Sequence, residues 1–94
     1  MVCNTIYFSD HAISQMFKRN IKVNEVKLIL EGGEVIKKYP DDKPYPGFLL
    51  FGFIDLRPLH LLVAKINETG DCIMVTVYEP DRSIWSSDFK SKIK

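Results

Sequence analysis

Four side chains in this sequence have types that could share proton-transfer chemistry: His11, Arg57, His60 and Tyr78. They supply two groups that titrate near neutrality, one permanent cation and one phenol. That set suits metal-free cleavage of RNA. One group takes the proton of the ribose 2′-hydroxyl, another protonates the departing 5′-oxygen, and the cation steadies charge growing on the phosphate. Gln15, Arg19, Lys65 and Thr76 are the companions expected to hold the substrate. His11 is the expected base, because it falls in the first turn of a helix. The dipole there disfavours the imidazolium, Asp10 pulls the other way, and exposed N–H groups suit a phosphate. Tyr78 would orient the substrate or assist as acid. If His11 and His60 lie on opposite sides of a sheet, the shared mechanism is excluded in favour of a non-catalytic interaction module.

The stretch that must position two of these four, and Lys65 with them, runs from Arg57 to Ile66, R-P-L-H-L-L-V-A-K-I. It is almost continuously apolar from Leu59 onward, as a strand covered on both faces would be. It is therefore expected to be a central strand in which Arg57, His60 and Lys65 are polar exceptions. Ionisable groups seldom occupy such places without a partner or a task. The plainer reading is a satisfied core histidine flanked by two surface cations. Strict alternation would put Arg57 and His60 on opposite faces, so one site for both needs a bulge or turn at Pro58.

Around this strand the pattern predicts two helices followed by three further strands. Ile6 to Phe8 is a short extended lead-in, and Ser9 an N-cap with Asp10 in the first helical position. A helix over 9–19 follows, with Ala12, Ile13, Met16 and Phe17 as its apolar stripe and Phe8 and Ile13 as a staple. His11, Gln15, Lys18 and Arg19 lie on its other side. Asn20 and Ile21 end it. A second helix over 23–31 carries Val26, Ile29 and Leu30 inward, with Lys22 as a poor cap and Gly32 as terminator. Strands are expected near 33–39, 48–54 and 72–79, with a loop at Asp41–Gly47 and a hairpin at Asn67–Asp71. On the last strand, Ile73, Val75 and Val77 should face the helices, and Cys72, Met74, Thr76 and Tyr78 the other side. Trp85 and Phe89 form a docking helical turn, ahead of a basic tail of Lys90, Lys92 and Lys94. Short links between successive strands favour antiparallel pairing with the helices on one face, leaving the other face partly open.

Composition narrows the function classes. The 94 residues suggest one domain, 1–94, and 46% apolar with 27% charged residues is the balance of an ordinary globular chain. A net charge of +1 argues against a general polyanion binder but leaves room for a local basic patch. Two cysteines are too few for a disulfide scaffold, no signal-peptide pattern opens the chain, and no apolar run would span a bilayer. The expectation is a cytoplasmic protein with reduced thiols and no membrane contact. Cys3, His11, His60 and Cys72 lack the paired spacing of a structural zinc site, and no glycine loop would cradle a nucleotide, so no metal or cofactor is expected.

The residues also carry a resemblance. F-S-D-H-A-I-S-Q-M at Phe8–Met16, then Arg19 and Ile21, Y-P-D-D at Tyr39–Asp42, R-P-L-H at Arg57–His60, T-V-Y-E-P at Thr76–Pro80, and Trp85 resemble the small prokaryotic proteins grouped as domain of unknown function 4258. That group is similar to RelE- and ParE-like toxins. The resemblance implies an α+β fold, with two N-terminal helices packed on a four-stranded, mainly antiparallel, curved sheet. It further implies a toxin of a toxin–antitoxin system: an RNA-cleaving hydrolase acting on RNA, including at the ribosome, with a small antitoxin protein as partner. His11, Arg57, His60, Thr76 and Tyr78 match the group's polar positions. Gln15 departs from a common arginine, and Lys22 from a capping serine. Fold relatives that cleave nothing keep a second reading open: a non-catalytic module that binds a protein through the open sheet face, with Tyr45, Phe48, Phe51 and Tyr78 as anchors.

Overall fold

A computed structural model describes residues 1–93; Lys94, the last member of the basic tail, lies outside the described residues. The element order is β1 (Ile6–Phe8), α1 (Asp10–Arg19), α2 (Val23–Gly32), β2 (Glu34–Tyr39), β3 (Gly47–Ile54), β4 (Arg57–Ile66) and β5 (Asp71–Tyr78). The five strands form one mixed sheet in the order β1-β5-β4-β3-β2. Strands β2 to β5 pair antiparallel as expected, with β4 in the interior. The expected four-stranded sheet gains a fifth strand, because the lead-in Ile6–Phe8 pairs parallel with Cys72–Met74 of β5.

The helix starts follow from their caps. Ser9 Oγ accepts from the Ala12 N–H and donates to the Val75 carbonyl, so one hydroxyl both caps α1 and ties it to β5. Asn20 closes α1 in the left-handed region at φ 55°, a conformation asparagine tolerates. Lys22 offers α2 no side-chain acceptor; instead the Glu25 carboxylate accepts from the Lys22 N–H at 2.8 Å. Ile21 and Val26 are both buried beside it.

The main core lies between the helices and one sheet face. Ala12, Met16, Val26, Ile29 and Leu30 meet Leu50, Leu59, Leu61, Val63, Met74 and Val77. Two expectations fail here. Ile13 and Phe17 are not in the stripe but face outward, Phe17 at 88% exposure, because Ala12 and Met16 already fill the contact. On β5, Cys72 and Met74 point to the core, whereas Ile73 and Val75 are only half-buried. The cause is a bulge: Leu62 pairs with Thr76 but Val63 with Met74, leaving Val75 as an extra residue. The phase flips there, so Val77 does reach the core and Thr76 and Tyr78 face away, as expected.

The N-terminal segment is fastened to β5. Cys3 and Cys72, expected as reduced thiols, form a disulfide across a sequence separation of 69. The parallel β1–β5 pairing brings their Cα atoms to 5.5 Å, within bridging reach. Among the described residues, no helix is long and apolar enough to cross a membrane.

Candidate functional site

The face of the sheet turned from the helices is covered in part by residues 80–93. Trp85 and Phe89 dock there nearly buried, as expected, although no helix forms in that segment. They close over Phe51 and His60, whose position on β4 alternates with the core-facing Leu59 and Leu61. His60 is wholly buried. Its Nε2 lies 2.8 Å from the Phe89 carbonyl, and its Nδ1 3.0 Å from the Tyr78 hydroxyl. A carbonyl only accepts, so Nε2 carries the proton. In the neutral ring Nδ1 is then an acceptor, and the Tyr78 hydroxyl donates to it. Burial pulls the His60 pKa below its ordinary 6.5, opposed in part by the Phe89 carbonyl. Burial pushes Tyr78 above its ordinary 10.0, with Tyr39 adding to the shift, so the phenol stays protonated.

Tyr78 opens onto a cleft of ≈ 290 Å³ whose wall includes Tyr39, Leu62, Trp85 and Lys92. A second cleft of ≈ 350 Å³ adjoins it through Tyr39, Trp85 and Lys92, and adds Lys37, Lys90 and Ser91. Lys37 sits 5.4 Å over the Tyr39 ring, and Lys92 5.8 Å over that of Trp85. Lys37 owes this place to a second irregularity, between Val35 and Lys37 on β2, which aligns Lys37 with Leu49.

The remaining candidates are held elsewhere. Arg57 shares the core-facing phase of β4, and its pairing through Pro58 to His60 is unbroken, so no bulge brings it round. Its Nε donates to Glu79 Oε1 at 3.0 Å, and its terminal nitrogens donate to the Arg19 and Asn20 carbonyls. The fork expected for a phosphate instead caps the end of α1. His11 is exposed on α1, in the layer opposite the face that holds His60, and makes no hydrogen bond to the other candidates. The two histidines lie on opposite sides of the sheet, so the expected division of proton transfers between them is excluded. Gln15 and Arg19 bond to each other on the same helix at 3.3 Å. Lys65 donates to the Val2 carbonyl at the N-terminal end of the molecule. Thr76 pairs with Leu62 and shares the Tyr78 face.

Of the expected set, then, the structure joins His60 and Tyr78, with Thr76 on the same sheet face but in the lining of neither cleft. It adds Lys37, Tyr39, Trp85 and Lys92, which the sequence offers only as a strand end, a docking turn and a basic tail. Among the described residues, no three histidine, cysteine or acidic side chains cluster as metal ligands would.

No curated protein and no solved structure gives a significant match. The family described as "Domain of unknown function (DUF4258)" matches residues 8–79, which take in α1, α2 and β2 through β5 and stop before the segment that covers His60. This chain belongs to the DUF4258 family.

Proposed function

We propose that this chain is a RelE/ParE-like toxin of a toxin–antitoxin system that acts on RNA through the sheet face turned from the helices. The observation that carries this reading is the Tyr78 hydroxyl. It is held against a neutral, fixed His60 at the mouth of a cleft that also presents Lys92. The phenol has one proton, hydrogen-bonded to His60 Nδ1 in the free protein; on substrate binding it turns to a phosphate oxygen or a departing 5′-oxygen, and the ammonium steadies the developing charge. His60 acts through Tyr78 by holding the phenol at the mouth of the cleft in the free protein. Among the described residues no carboxylate or histidine lines the cleft to take the 2′-hydroxyl proton, so in this reading the ribosome supplies its acceptor and bare RNA is a poor substrate. The exposed Ile13 and Phe17 of α1 offer an apolar surface to a small antitoxin protein. A cytoplasmic setting goes with this function; the Cys3–Cys72 bond weighs against it, since such bonds persist mainly in oxidising compartments.

A second reading, a non-catalytic interaction module, is favoured by two observations. His11 and His60 lie on opposite sides of the sheet. His60 is wholly buried with both ring nitrogens bonded, as a purely structural histidine would be. The test is RNA cleavage in the presence of chelator, with and without ribosomes. Cleavage lost in Tyr78→Phe supports the toxin reading, and an inert but folded wild type supports the module.

A further inference from the structure

The paired clefts between β2 and the C-terminal segment have a composition that the Tyr78–His60 pair does not explain. They run together through Tyr39, Trp85 and Lys92, and their cations are interleaved with aromatic rings rather than gathered in a patch. Lys90 is taken up by Glu34 at 2.9 Å. Among the described residues Lys37 and Lys92 are in no ion pair. Beyond the lysines, the polar groups on the walls are the hydroxyls of Tyr39, Tyr78 and Ser91 and the indole N–H of Trp85.

From these observations we infer that the Lys37–Tyr39–Trp85–Lys92 groove is a binding track for single-stranded nucleic acid, read by its backbone and its ring faces rather than by its sequence. This deepens the proposed function, on which it rests for the choice of RNA. The rings are recessed between β2 and the C-terminal segment, so only an unstacked base can enter; a duplex keeps its bases from them. A base entering the groove takes the Tyr39 face now covered by Lys37. That ammonium and the one on Lys92 then meet the flanking phosphates. Among the described residues no carboxylate or amide side chain lines either cleft, so base edges meet few discriminating groups and binding is tolerant of sequence.

The size of the site sets its signature. Two phosphate contacts on a single strand give a slope of log affinity against log salt of about −1.4. Affinity thus falls about sevenfold from 50 to 200 mM salt, on the same scaling. The probe is a short single-stranded RNA, 2′-O-methylated throughout so that it cannot be cut, titrated by fluorescence anisotropy. Trp85, the one tryptophan, reports occupancy of the groove through quenching of its emission. The expected result is salt-dependent binding with Trp85 quenching, and a slope near zero in the Lys37→Gln/Lys92→Gln double variant. Lys27→Gln, in the helical layer, should leave the slope unchanged. No binding, an unchanged slope in the double variant, silent Trp85 emission on binding, or equal affinity for duplex RNA or polyglutamate would each overturn the inference. Cleavage is scored separately with unmodified RNA. If cleavage depends on Tyr78 while the double variant binds as wild type does, the groove fails and the toxin reading stands. If the track binds as described while nothing is cut, the reverse holds.

Discussion

Replacing His60 by alanine should loosen the whole second face of the sheet. The imidazole is wholly buried, and its two nitrogens hold the Phe89 carbonyl and the Tyr78 hydroxyl. Its ring also meets Trp85, with centroids 4.5 Å apart, and Phe51 at 5.8 Å, both edge to face. Truncation leaves the Phe89 carbonyl without its partner, which costs about 1–3 kcal/mol, whereas the half-buried Tyr78 hydroxyl recovers much of its loss from water. Large-to-small changes at fully packed sites add a transfer and cavity cost of about 2 kcal/mol or more. A total of about 3–5 kcal/mol follows, a large part of the roughly 5–15 kcal/mol that holds a domain together. For a chain of this size that lowers Tm by at least about 12 °C. Urea unfolding followed by circular dichroism gives the free energy, and Trp85 emission reports whether residues 80–93 have lifted. A loss under about 1 kcal/mol with unshifted emission would refute the argument, since it would mean that His60 does not hold the C-terminal segment down.

Three further outcomes follow from the same geometry. Met74→Ala should cost about 2–5 kcal/mol, whereas Val75→Ala, at the half-buried bulge, should cost well under half as much; equal losses by urea unfolding would contradict the bulge. Stability should decline as pH falls below about 6.5. There the unfolded His60 takes a proton that the folded, burial-depressed one refuses, and the decline should flatten in His60→Phe. Reducing Cys3–Cys72, which closes a loop with a separation of 69, should lower stability by about 4 kcal/mol on the chain-entropy model. Calorimetry with and without reductant measures this, with Cys3→Ser as the matched control.

The helices and the central strand were legible in the sequence because their signals are local. Ser9, Asn20 and the apolar run after Pro58 each act within a few residues of themselves. Alternation on β5 misled because period-two reasoning assumes an unbroken ladder, and the extra residue at Val75 is visible only against β4. The disulfide was hidden for a similar reason: Cys3 and Cys72 become neighbours only once β1 is known to lie beside β5. The candidate site was half legible. His60 and Tyr78 stand out as polar types in strand sequence, and pairing across β4 and β5 joins them. Arg57 has the residue type for phosphate binding, but its phase on β4 and the carbonyls at the end of α1 claim it. Lys37, Trp85 and Lys92 gain their meaning from the return of the C-terminal segment across the sheet, which no local pattern encodes.

In the proposed function Tyr78, held at the cleft by His60, is the group through which this face acts on RNA. That role is tested most directly by comparing wild type and Tyr78→Phe in a ribosome-supplemented cleavage assay with chelator present. The wild type should cleave, and cleavage by the variant should fall by roughly two decades or more, the usual worth of positioned acid catalysis, with its circular dichroism spectrum unchanged. Equal cleavage by the two proteins would contradict that role.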